Sequence, residues 1–286
     1  MGIPTLGRPS ARGIEALALT CDAQVAYVAV ETATGPHVTP VLFATAAGRV
    51  WFVVDRRTLK ARVIARRPDV GILVWSGDRA VVIAGQAMVL DPVRPTALKR
   101  AWPELVRAPL AASPYTLSNA LELAGTARDA ARFPGRLRPD THVLVSVAAR
   151  TTTVVPSPSV PSAAIGGPAE LELVGVPAQL AARAQRPGPA VLGWPTGRGP
   201  LALPVAWDPD RTRARVAWPR SRAPRTGREV PVSLCFDASR GHGPSAKAGL
   251  MLRGPGRVTS DGDLVLRPRR ATFWTGFETA TRELGE

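Results

Sequence analysis

One seven-residue phrase is written twice in this 286-residue chain. GPHVTPV occupies residues 35–41 and GPLALPV residues 199–205, and their first, second, sixth and seventh letters agree. The match runs backwards without a gap: AYVAVETATGPHVTPV (26–41) lies over AVLGWPTGRGPLALPV (190–205). Each copy reads as an apolar strand, a Thr/Gly/Pro turn and a second strand. A hairpin that recurs so far along the chain predicts two similar units, each with its own strands.

The surroundings follow one plan. Residues 10–21 (SARGIEALALTC) carry Ile and Leu at helical spacing. QVAYVAVET (24–32), HVTPVLFAT (37–45) and RVWFVVD (49–55) then read as strands joined by short Gly-containing turns. TLKARVIARRP (58–68) reads as a short helix stopped by Pro68, followed by strands VGILVW (70–75) and AVVIAGQAMVL (80–90). Five strands with such short links predict a small closed barrel. Helices are predicted over 95–108 and 118–133, and THVLVSVAARTTTVV (141–155) returns as strand. PSPSVPSAAIGGP (156–168) breaks every period, which places domains at 1–156 and 169–286 with a linker at 157–168.

The second half starts the plan again. A short helix at 176–185 precedes strands AVLGW, LALPVAW and RARVAWP. EVPVSLCFDA (229–238) stands for VGILVW, and AGLMLRGPGRVTS (248–260) for AVVIAGQAMVL, with Gly254 where the first half has Gly85. DLVLRPRRATFWTGF (263–277) reads as the closing strand. The expected fold is mainly β with short helices: two tandem antiparallel barrels fused as a pseudo-dimer within one chain.

Composition excludes some functions. No apolar run is long enough to span a membrane, and the first residues lack a signal-peptide core, so a cytoplasmic protein is expected. Cys21 and Cys235 sit among apolar neighbours outside any CxxC pair and read as buried thiols. The net charge is +15, but only three lysines contribute, at Lys60, Lys99 and Lys247. Arginine is spread through both halves beside abundant Ala, Gly, Pro and Val, a pattern of GC-rich codons. Its short runs are RTRAR (211–215) and RPRR (267–270). A nucleic-acid surface would gather base on one element, so a basic nucleic-acid-binding protein ranks last among the functions weighed.

The first half resembles the FMN-binding split-barrel family, the group of pyridoxamine 5′-phosphate oxidase and its flavin, deazaflavin and haem relatives. GPHVTPV, VWFVVDRRTLKARVIARRPDVGILV (50–74) and VVIAGQA (81–87) carry the resemblance, and FWTG (273–276) resembles a Phe-Trp-x-Gly near the end of the oxidase. It implies a barrel pair that binds a flavin between its members, FMN or the deazaflavin F420, for an oxidoreductase acting on a small molecule. It also implies that Thr58 and Lys60 grip the flavin phosphate, with Arg56 and Arg57 adding positive potential on the same turn. A Lys beside a hydroxyl is chemically suited to a phosphate. On the residues alone TLKAR reads rather as a solvated helix face, with Lys60 and Arg62 exposed.

The departures bear on the cofactor. Val54 stands where the oxidase has a flavin-touching Thr, Thr39 where it has Arg, and Ala80 where it has Gln. The oxidase's substrate-binding Arg and His after FWxG have no counterpart in register, so pyridoxamine phosphate oxidation is not expected. The turn WPRSRAPRTG (218–227) in the second, degenerate half lacks Lys, while the first half lacks a Trp in its tail. One composite site follows, gripped by Lys60 and flanked by Trp274, which reads otherwise as a core aromatic. A relative that has lost its cofactor and only binds a ligand or protein remains the alternative. His37, His142 and His242 lack metal-ligand spacing, and haem on His37 ranks behind a plain strand histidine. GHGPSAKAG (241–249) lacks the end of a phosphate-binding P-loop and reads as a mobile loop.

Overall fold

The computed structural model describes residues 23, 25–76, 78–93, 102–136, 141–159, 171–219 and 226–285. The predicted helix at 10–21, Cys21 and nearly all of the linker fall outside them. The strands are β1 (Val25–Thr32), β2 (Gly35–Ala46), β3 (Arg49–Asp55), β4 (Asp69–Ser76), β5 (Arg79–Leu90) and β6 (His142–Pro156). They close into an antiparallel barrel in the order β1-β2-β3-β6-β5-β4. The second half supplies β7 (Gly188–Trp194), β8 (Leu201–Asp208), β9 (Arg213–Val216), β10 (Glu229–Asp237), β11 (Ala248–Val258) and β12 (Leu264–Leu266). The β10–β11 pairing closes them in the same order, β7-β8-β9-β12-β11-β10. The chain is therefore two six-stranded barrels of one topology.

The repeated phrase explains itself in backbone terms. Gly35 and Gly199 open β2 and precede β8 at φ of 103° and 104°, a conformation that favours glycine. Thr32 Oγ1 donates to the Gly35 carbonyl at 2.5 Å, and Thr196 Oγ1 donates to that of Gly199 at 2.5 Å. The Thr34 and Arg198 N–H groups donate back to those hydroxyls at 3.3 and 3.2 Å. Each turn also presses on the opposite barrel. A Cβ on Gly35 would lie 2.8 Å from Pro231, and one on Gly199 would lie 2.6 Å from Asp69. Pro231 and Asp69 are register equivalents on β10 and β4, since they pair with the residues after Gly254 and Gly85. The barrels thus exchange the same contacts in both directions, as a two-fold axis requires. Opposite Gly85 the partner strand β6 bulges at Arg150, and opposite Gly254 the partner strand breaks.

The strands bury both faces, which is why they read as continuous apolar runs. On β1, Ala26, Val28 and Val30 fill the first barrel, with Phe43, Phe52, Ile72 and Ile83. Ala29, Val38, Leu73 and Val82 turn outward into a core shared with Leu192, Leu203, Leu234 and Leu252 of the second barrel.

Three expectations change. The segment 263–277 is not one strand: β12 ends at Leu266, β13 (Arg270–Thr275) begins after Pro268, and β14 (Glu278–Glu283) turns back on it. The first helix, α1, is only Leu59–Ile64. The next, α2 (Trp102–Ser118), runs past the predicted end at 108 and through Pro109 and Pro114. Each proline removes one N–H donor without ending the helix. The other described α-helices are α3 (Ala120–Arg132) and, opening the second half, α4 (Ala178–Ala184).

Candidate functional site

A cleft of about 690 Å³ opens between the barrels. Its first wall is β2, the end of β3 and the start of α1, including His37, Thr39, Val54, Thr58 and Lys60. Its second wall is the β10 end, β11 and the β13–β14 hairpin, including Asp237, Lys247, Arg253, Arg270 and Trp274. Lys60 and Trp274, 214 positions apart in sequence, therefore meet at one cavity.

Local structure aims these side chains. Asp55 organises the turn: its carboxylate accepts from the Arg57 N–H at 2.7 Å and from Thr141 Oγ1 at 2.8 Å. Thr58 caps α1, accepting from the Ala61 N–H at 3.3 Å and donating its own proton to the Asp55 carbonyl at 2.7 Å. The capped helix turns Lys60, Ala61 and Ile64 inward and leaves Arg62 exposed. Half of the solvated-face alternative thus holds, for Arg62, and half does not. Arg56 reaches Asp91 at 3.1 Å, and Arg57 is exposed; neither lines the cleft.

Lys60 is only 7% exposed, and no hydrogen bond or ion pair from the described residues reaches its side chain. Burial pushes its pKa down from 10.5 to about 7. The nearby Cys235 gives no counter-charge, because burial raises the thiol far above its usual range and keeps it protonated. His37 is held neutral, at about 3, by burial and then by the charges of Arg253 and Lys60. Its Nδ1 accepts from the Arg253 guanidinium, which leaves the ring proton on Nε2. Thr39 Oγ1 is buried in the same wall without a partner. Trp274 lies across Gly249, where any Cβ would strike the indole ring at 2.1 Å, so a glycine is needed opposite it.

Among the described residues, the pseudo-symmetric location holds no such chemistry. The equivalents of His37 and Thr39 are Leu201 and Leu203, both buried, and those of Arg253 and Trp274 are Ala84 and Val155. All four pack into the shared core, beside Trp75 and Tyr27. Arg220, on the turn matching that of Lys60, lies outside the described residues.

Sequence reasoning missed the tether that shapes one end of the cleft. The segment 241–249 is pinned to α3 rather than loose. Glu122 accepts from Lys247 Nζ at 2.6 Å and from the Gly243 N–H at 2.9 Å, and Asp129 accepts from the Ser245 N–H and hydroxyl, each at 2.8 Å. Gly125 lets the helix press to within van der Waals reach of His242 and Gly243. Burial opposes the charge on Glu122, but the Lys247 and Gly243 hydrogen bonds outweigh it and hold the carboxyl below its usual range. The signal was present: acidic residues seven apart on one face of a predicted helix, and one of three lysines in the loop. Arg253 was also visible, as a lone charge within AGLMLRGPG.

This chain is a tandem split barrel. No known family profile and no curated protein matches it. Among solved structures it is similar to an FMN-binding protein related to pyridoxamine 5′-phosphate oxidase from Nostoc punctiforme, at 17% identity over 53% of this chain and 85% of that one, with a TM-score of 0.37. A conserved hypothetical protein from Mycobacterium tuberculosis matches at 20% identity over 58% of this chain and 98% of that one, TM-score 0.34. An F420 reductase matches at 18% identity over 48% and 94%, TM-score 0.30. No described helix is long and apolar enough to cross a membrane, and no cluster of three metal-ligating side chains occurs among the described residues.

Proposed function

We propose that the inter-barrel cleft binds a flavin-type cofactor, FMN or the deazaflavin F420, and that the chain is an oxidoreductase acting on a small molecule. The observation that carries this reading is Lys60: a buried ammonium on the cleft wall with no acidic partner among the described residues. An uncompensated buried charge is costly, and a ligand phosphate beside it would restore both its charge and its hydrogen bonds. The remaining wall fits a flat ring system. Val54 and Trp274 offer apolar surface, and Thr39 Oγ1 is a buried polar atom awaiting a partner. When bound, such a cofactor supplies the electron or hydride chemistry. The chain's own part is to hold the phosphate, orient the ring between the barrels and keep His37 neutral with its Nε2 proton available.

A second reading, a ligand-binding relative without redox chemistry, is favoured by the Thr58 hydroxyl. Its proton is already committed to the Asp55 carbonyl, so the turn offers less to a phosphate than its sequence suggests. The absorbance spectrum of the purified protein separates the readings. Flavin or deazaflavin bands support the first, a Soret band points to haem instead, and a colourless protein that also fails to take up added flavin favours the second.

A further inference from the structure

The cleft has a second lobe. A cavity of about 520 Å³, lined by Thr34, Pro231, Pro255 and Arg269, shares Arg253 and Arg270 with the main cleft. It exists because the strand that is continuous in the first barrel, β6, is broken in the second between β12 and β13. The Arg267 and Arg269 N–H groups cross back to the carbonyls of Pro255 and Arg253 at 3.0 and 2.8 Å. Only glycine permits this crossing, because a Cβ on Gly254 would lie 1.9 Å from the Arg267 carbonyl oxygen. The break carries the RPRR run (267–270), a basic cluster that the flavin reading leaves unexplained.

The charges around this lobe do not balance. Glu229 is reached by Arg267 at 4.0 Å and Glu283 by Arg270 at 2.6 Å. Among the described residues no carboxylate pairs with Arg253. There its guanidinium meets only neutral groups, Thr34 Oγ1 at 3.4 Å and His37 Nδ1, and its Nε is buried with no partner. Burial and then the neighbouring Arg270 lower its pKa, so its environment lacks an anion. The barrel does not need a charge there, since the equivalent position in the first barrel is Ala84.

We propose that this lobe is a second subsite, in which Arg253 receives the carboxylate or phosphate group of a small anionic molecule. The proposal deepens the flavin reading, on which it rests for calling that molecule the cofactor's reaction partner. A guanidinium that lines both lobes and meets only neutral partners suits a two-oxygen group, which it can grip with two donors. The anionic molecule then spans from Arg253 toward the ring site bounded by Trp274, while Lys60 serves the cofactor phosphate.

The test is calorimetric titration of the full chain with succinate and, separately, with inorganic phosphate at constant ionic strength, so that the two probes distinguish a carboxylate from a phosphate site. We expect saturable binding of at least one probe, weakened at least about tenfold in Arg253→Gln. Arg253→Lys, which keeps the charge but loses the fork, should fall between. Arg215→Gln, which removes an exposed charge on β9, should bind like the wild type. Saturating FMN, which takes any probe off Lys60, should leave the Arg253-dependent binding in place. No binding of either probe to the wild type, equal affinity in Arg253→Gln, or loss of the Arg253-dependent binding in saturating FMN overturns the proposal. Failure of the flavin reading shows separately, as a wild type that takes up no FMN yet binds the oxyanion more tightly than Arg253→Gln does.

Discussion

Replacing Lys60 with Met tests whether an unpaired charge is truly held in the inter-barrel cleft. Met has similar length and no charge, so the inward face of α1 stays filled. In the folded chain burial lowers the lysine from 10.5 to about 7. Each unit corresponds to about 1.4 kcal/mol, so the folded state carries a penalty on the order of 5 kcal/mol while Lys60 is charged. Because the folded pKa is depressed, the unfolded chain binds the proton more tightly between pH 7 and 10.5, and stability rises with pH across that window. Below pH 7 the penalty is present in full. Urea denaturation of both proteins therefore should show Lys60→Met more stable than wild type at pH 6, by several kcal/mol. The gap should narrow by roughly 1.4 kcal/mol per unit between pH 7 and 9. Inorganic phosphate at pH 6 should also narrow it, by binding the charged wild type only. A gap that does not change with pH, or a variant less stable at every pH, would refute the reasoning.

The turn glycines give a paired test. Gly35→Ala and Gly199→Ala should each destabilise the fold by roughly 1–3 kcal/mol, read as a lowered Tm, because both need positive φ and both meet the opposite barrel. Glu122→Gln removes the α3 tether. The Glu122 carboxyl is depressed in the folded state, so its contribution is present above its ordinary value of 4.5 and lost as pH falls through the folded pKa; the Tm difference from wild type should shrink on acidification. Duplex DNA should bind weakly and without sequence preference, with affinity falling steeply as salt rises; selective binding at physiological salt would contradict the scattered-arginine reading.

Much of the fold was legible because the repeat is written in residues with backbone consequences. Thr, Gly and Pro at 32–36 and 196–200 dictate one turn geometry, and Gly85 and Gly254 mark the point where a partner strand crosses closely. The strands were visible as apolar runs since both their faces are buried. What stayed hidden depends on contacts between distant segments. Nothing local announces that the strand after Leu266 breaks to form a second lobe, or that α3 pins residues 241–247. Within the candidate site, the sequence pointed to Lys60, Val54 and Trp274, which line one cavity, and also to Arg56 and Arg57 beside the phosphate, without showing that Arg56 is taken by Asp91 and that neither arginine lines the cleft. His37 and Arg253 could not be paired from sequence, because they meet only across the barrel interface.

The central claim is one cofactor site, built from both barrels and gripped by Lys60. Its most direct test is an equilibrium titration with FMN, with F420 in parallel, on the wild type and on Lys60→Ala. The account predicts a stoichiometry of one per chain, since Leu201, Leu203, Ala84 and Val155 fill the pseudo-symmetric position. It also predicts an affinity loss of roughly ten- to a hundred-fold in Lys60→Ala, the loss of one charge-assisted hydrogen bond. Two sites per chain, no binding of either cofactor, or an unchanged affinity in Lys60→Ala would contradict it.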